Sequence, residues 1–141
     1  MKSLALSLAL VLAVPAVADA AVFRGETSQG RGVVLKTTDH GRPYRVKVSF
    51  RAPCSDHKRL KAGTFFRSPF DRRSRTRVRD DGKYTFSLGD ERIHANVSMR
   101  GHRVSPTKWR GRYKGDFVVR NKNGHKVATC ETPLVHWHAT R

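Results

Sequence analysis

Residues 44–51 read Tyr44-Arg45-Val46-Lys47-Val48-Ser49-Phe50-Arg51. Apolar side chains fall on every second position, and cationic or polar ones fill the positions between. That is the period of a β-strand with one face on a core and the other in water; a helix would repeat every 3.6 residues. Tyr44, Val46, Val48 and Phe50 are therefore expected to share the buried face. Arg45, Lys47, Ser49 and Arg51 are expected to share the wet one.

The same alternation recurs downstream. Ile93, Ala95, Val97 and Met99 interleave with Arg92, His94, Asn96, Ser98 and Arg100. Tyr84, Phe86 and Leu88 form a shorter run. Val135, Trp137 and Ala139 alternate with His136 and His138 at the end of the chain. This last pattern predicts a buried Trp137 flanked by two outward imidazoles. Turn chemistry separates the runs. Ser28-Gln29-Gly30-Arg31, Asp39-His40-Gly41-Arg42, Asp80-Asp81-Gly82-Lys83, Leu88-Gly89-Asp90 and Asn121-Lys122-Asn123-Gly124 all place glycine where a hairpin calls for positive φ.

Strands are expected near 22–28, 32–37, 43–51, 63–67, 74–79, 83–88, 92–100, 108–119 and 125–140, the last split by Pro133. Residues 52–62 and 101–107 read as loops. The fold class is all-β: a single-domain antiparallel β-sandwich or small β-barrel of eight or nine strands. An immunoglobulin domain would place a tryptophan shortly after its first cysteine. Trp109 lies far beyond Cys54, which argues against that fold.

Residues 1–20 are set apart. Lys2 precedes an apolar run from Leu4 to Val14, then Pro15, then Ala18-Asp19-Ala20. That is the order of a cleaved secretory signal, and the run is shorter than the roughly 20 residues a spanning helix needs. The alternative is an uncleaved N-terminal anchor. Residues 21–141 then form the single β domain, with no transmembrane segment. Lys2 and Asp19 cancel, so the whole net charge of +18 belongs to that domain.

Cys54 and Cys130 are the two cysteines. An even count in an exported domain reads as a disulfide; a nucleophilic thiol or a Cys/His metal pair is the alternative. The expected location is extracellular or on the cell envelope.

The strongest chemical signal is basic. Residues 72–79 carry Arg72, Arg73, Arg75, Arg77 and Arg79, and the whole chain has 19 arginines against 10 lysines. On a continuous strand, Arg73, Arg75, Arg77 and Arg79 would line one face. Guanidinium forks match phosphate, sulfate or carboxylate in bidentate fashion. A row of them concentrates positive potential. The alternative is a solvated edge whose charge prevents aggregation. No recognition helix, zinc finger or RNA-binding sheet motif is present.

His136 and His138 could hold a metal if a third ligand joined them. They are weak candidates, and no cofactor is expected. Catalytic signals are thin. There is no Gly-x-Ser-x-Gly elbow, His-Glu-x-x-His or phosphate loop. Ser55 and Lys58 have Ser-x-x-Lys spacing without its companion motifs. The acid pairs Asp80-Asp81 and Asp90-Glu91 fall in expected turns. Asn96-Val97-Ser98 fits a glycosylation sequon.

Several short stretches resemble a group of small secreted disulfide-linked β proteins from high-GC Gram-positive bacteria, of actinobacterial type. The resemblance rests on Phe23-Arg24-Gly25-Glu26-Thr27-Ser28-Gln29-Gly30, on Cys54, on Asp81-Gly82-Lys83-Tyr84-Thr85, and on the ending with Cys130, Val135, Trp137, Ala139 and Arg141. It implies a disulfide-linked β fold and transfers no catalytic residue. The chain departs from the group in its high positive charge and in Pro133.

The reading that emerges is an exported, monomeric, non-catalytic module. It binds an anionic polymer or cell-surface component, such as envelope, glycan or nucleic acid, through Arg72, Arg73, Arg75, Arg77 and Arg79. A small exported hydrolase is one alternative. A structural or inhibitory protein-binding module acting through residues 52–62 is another.

Overall fold

A computed structural model describes residues 20–141. The proposed signal therefore lies almost wholly outside the described residues. The described residues form ten antiparallel strands: β1 (Val22–Thr27), β2 (Gly32–Thr37), β3 (Pro43–Pro53), β4 (Arg59–Arg67), β5 (Arg72–Arg73), β6 (Arg77–Leu88), β7 (Glu91–Ser105), β8 (Lys108–Arg120), β9 (Lys126–Glu131) and β10 (Val135–Thr140). They make one sheet in the order β4-β3-β2-β1-β10-β8-β7-β6-β5, curled into a half-barrel, with β9 also on β8. Among the described residues no helix is long and apolar enough to cross a membrane.

The split at Pro133 is real. β10 pairs with the first half of β8 and β9 with the second. In the gap, Thr132 is buried; its N–H donates to the Gly115 carbonyl at 2.9 Å, and its Oγ1 accepts from Gly115 N–H at 2.8 Å. Cys54 and Cys130 form a disulfide that ties the end of β3 to β9. Beside it, Ser55 N–H donates to the Thr129 carbonyl at 2.8 Å.

The core follows the alternation. Val46, Val48, Phe50, Ile93, Ala95, Val97, Met99, Val135, Trp137 and Ala139 are all buried. Phe50 stacks on Tyr113 and Phe117, with ring centroids 5.2 and 4.9 Å away. Thr64 Oγ1 joins two tyrosine hydroxyls, Tyr84 at 2.6 Å and Tyr113 at 2.9 Å. Burial pushes both phenol pKa values up. Thr64→Val keeps the shape and removes the shared partner. It is expected to cost about 1–3 kcal/mol in urea unfolding, because the buried Tyr113 hydroxyl loses its hydrogen bond.

Several expectations fail for identifiable reasons. Tyr44 is exposed, because the β2–β3 register shifts next to it and seats Pro43 inside instead. Residues 59–62 belong to β4 and are not loop. Leu60 faces in while Arg59 and Lys61 face out, so the charged run hid an alternating strand. Residues 80–83 are mid-strand and not a turn, since β6 stays paired with β7 throughout, Gly82 lying opposite Val97. β7 likewise runs on to Ser105, which leaves only Pro106 and Thr107 of the expected loop 101–107 as a turn. The other four turn glycines, Gly30, Gly41, Gly89 and Gly124, do have positive φ.

Candidate anion-binding face

The arginine run 72–79 is not one strand. Ser74 reverses it: its Oγ accepts from the N–H groups of Thr76 at 3.2 Å and Arg77 at 3.0 Å, and its own N–H donates to the Arg77 carbonyl. The hydroxyl offers the backbone a turn in place of a ladder. The five arginines therefore separate. Arg73 Nη1 donates to the Pro43 carbonyl and to Ser68 Oγ, at 3.3 and 3.2 Å. Arg73 and Arg75 border a small concavity with His40 and Arg42. Arg72, Arg77 and Arg79 lie on the outer face of the β5–β6 sheet edge, where they help to line a different concavity. The single row of Arg73, Arg75, Arg77 and Arg79 does not exist.

A larger cationic array replaces it. Four strands each carry a basic residue, one intervening residue and a second basic residue: Arg77-Val78-Arg79 on β6, Arg100-Gly101-His102 on β7, Arg110-Gly111-Arg112 on β8 and His136-Trp137-His138 on β10. Antiparallel pairing brings the four triples into register. The first rung across the sheet runs Arg72, Arg79, Arg100, Arg112, His136. The second runs Arg77, His102, Arg110, His138 and ends at Glu26 of β1. All the arginines and histidines in both rungs are exposed. Together with the intervening backbone, most of them line a concavity of about 810 Å³.

The residues between the cations face inward and explain why the rungs align. Val78, Gly101, Gly111, Trp137 and Thr27 form one internal row. Trp137 is buried against both glycines. A Cβ on Gly101 would lie 2.8 Å from the indole ring, so the ring occupies space that two side chains would otherwise fill.

Charge on this face is poorly balanced. Arg79 pairs with Asp81 at 2.9 Å. Hydrogen bonds from Ser98 and then Arg79 hold the Asp81 carboxyl below its usual pKa. No other arginine of the rungs makes an ion pair among the described residues. Like charges directly opposite each other across strands are destabilising. The next rungs on the same outer face are mixed: Asp81, Ser98 and Lys114, then Lys83, Asn96, Asp116 and Glu131. Glu131 holds Lys114 at 3.1 Å and raises its pKa. Asn96 of the sequon is exposed beside a second concavity of about 720 Å³.

His136 and His138 have arginines as cross-strand neighbours. Among the described residues no three His, Cys, Asp or Glu side chains come together to hold a metal. Of the aromatics, Trp109, Tyr113 and Phe66 are core. Phe65 is exposed and carries Arg45 and Lys47 over its ring at 5.0 and 5.1 Å. Sequence reasoning missed Arg100, His102, Arg110 and Arg112. Their signal was the repeated cation-x-cation triple on separate strands, less conspicuous than five arginines in one run. No protein-family model matches the chain, and no curated protein matches it.

Proposed function

We propose that the protein is an exported module that binds anionic polymers through the outer face of β6, β7, β8 and β10. The observation that carries this reading is the register of the four triples of alternating basic residues. Six arginines and three histidines share two adjacent rungs, Arg72 included, with Asp81 and Glu26 as the acids beside them. Such a face costs stability in the free protein through self-repulsion and is relieved by an anionic ligand. Its arginine forks suit tetrahedral oxyanions and carboxylates. The disulfide fits an oxidising compartment, as export requires.

Salt elution from immobilised heparin tests the proposal. Arg77→Gln, Arg100→Gln and Arg112→Gln combined is expected to elute at clearly lower salt than the wild type. The slope of log affinity against log salt is expected to fall by about one per lost contact. Thermal stability should hold or rise, because these side chains repel one another. Elution together with the wild type would remove the face from consideration.

A further inference from the structure

The strip of basic side chains has a direction, across the strands. Resting on the anion-binding reading above, we infer that the natural ligand is a linear chain of sulfate or phosphate groups on a non-aromatic backbone, lying across the strands along the rungs.

Neighbouring strands are about 4.8 Å apart, and alternate residues on one face are about 6.7 Å apart along a strand. From Arg72 on β5 to His136 on β10 the first rung crosses five strands, or about 19 Å. The two rungs together are only about 7 Å wide. A chain laid across the strands stays on basic side chains for the full length, four arginines and then His136. One laid along the strands leaves them after two rungs and runs, on one side, toward Asp116 and Glu131.

The side-chain chemistry narrows the class. The rungs contain no lysine, phenylalanine, tyrosine or exposed tryptophan; their only rings are the imidazoles of His102, His136 and His138, and Trp137 sits beneath them, buried. Recognition of single-stranded nucleic acid draws much of its affinity from bases stacked on exposed aromatics. This face offers no indole, phenol or phenyl ring, only three small imidazoles. It offers guanidinium forks above a glycine-rich backbone floor, which suits the tetrahedral oxyanions themselves.

Three sets of titrations at physiological salt test the inference. First, length-graded heparin-type oligosaccharides and inorganic polyphosphate are compared with oligothymidylate of equal charge. One or both of the former are expected to bind at least about tenfold tighter than oligothymidylate. Their affinity should climb with length until the chain spans the strip, then level off. The better of the two identifies the source of the oxyanion. Second, Arg100→Gln with Arg112→Gln is compared with Arg92→Gln and Arg120→Gln, an equally charged pair directly opposite each other at the far end of β7 and β8. The first pair is expected to lose about tenfold or more, and the second little. Third, Asp116→Asn should leave binding of long chains nearly unchanged. It lies more than a Debye length, about 8 Å, from the rung.

Equal affinity for oligothymidylate would overturn the ligand class while leaving the anion-binding face in place. Equal losses from the two arginine pairs would reduce the effect to net charge. A large gain from Asp116→Asn would show that the chain runs along the strands. Absence of binding to every polyanion would sink the anion-binding reading as well.

Discussion

Gly111→Ala is expected to destabilise the domain by more than about 3 kcal/mol, a large share of the 5–15 kcal/mol that separates folded from unfolded domains. Gly111 sits in the first part of β8, paired on both sides, with β7 and with β10. A Cβ there would run into the Arg100 carbonyl and the Trp137 ring. The carbonyl belongs to a central strand and the indole is buried, so neither can move aside cheaply. Overpacking a rigid site generally costs 1–3 kcal/mol, and a clash with backbone adds to that. Chemical denaturation measures the loss directly. Adding Trp137→Phe should restore part of the stability, because the smaller ring clears one of the two clashes. Gly82→Ala is the matching control: its Cβ would lie 3.8 Å from Val97, an ordinary contact. It should change stability by no more than about 0.5 kcal/mol. A Gly111→Ala protein as stable as the wild type would mean that Trp137 does not lie under the cationic rungs.

Replacing both cysteines, Cys54→Ser with Cys130→Ser, is expected to cost about 4.5 kcal/mol from loop-closure entropy alone. The two residues are 76 apart in sequence. Their disulfide fastens the first four strands to β9, where the adjoining backbone contact is an isolated bridge. The loss should be measured as a shift in the denaturation midpoint. It should be larger at low ionic strength, because a net charge of +18 drives the unfastened segments apart and salt screens that repulsion. A midpoint unchanged by the double substitution would show that packing, and not the tie, holds the sheet in its curl.

Much of the scaffold was legible from period and punctuation. Ile93 to Met99 and Val135 to Ala139 alternate without a break, and both runs lie where the alternation puts them, with Trp137 inside and His136 and His138 out. Pro133 marked the break between β9 and β10, because proline cannot donate to a ladder. Other signals misled where a local cue competed with pairing. Asp80-Asp81-Gly82-Lys83 has the composition of a turn, but the long partner β7 keeps it extended. Arg59 and Lys61 masked the inward Leu60. Ser74 broke the arginine run with a single hydroxyl.

Alternation, turn residues and two cysteines are properties of neighbouring positions, so the chain by itself determined an all-β, strongly basic domain with a disulfide and an inward terminal tryptophan. Register between strands far apart in sequence is not such a property. A slip of one residue would turn every side chain to the opposite face. Only the tertiary structure decided that Arg79, Arg100, Arg112 and His136 fall on one line and Arg77, His102, Arg110 and His138 on the next. The physical reason lies underneath them. One indole fills the space left by two glycines, and that fit sets which residues of β7, β8 and β10 stand opposite each other.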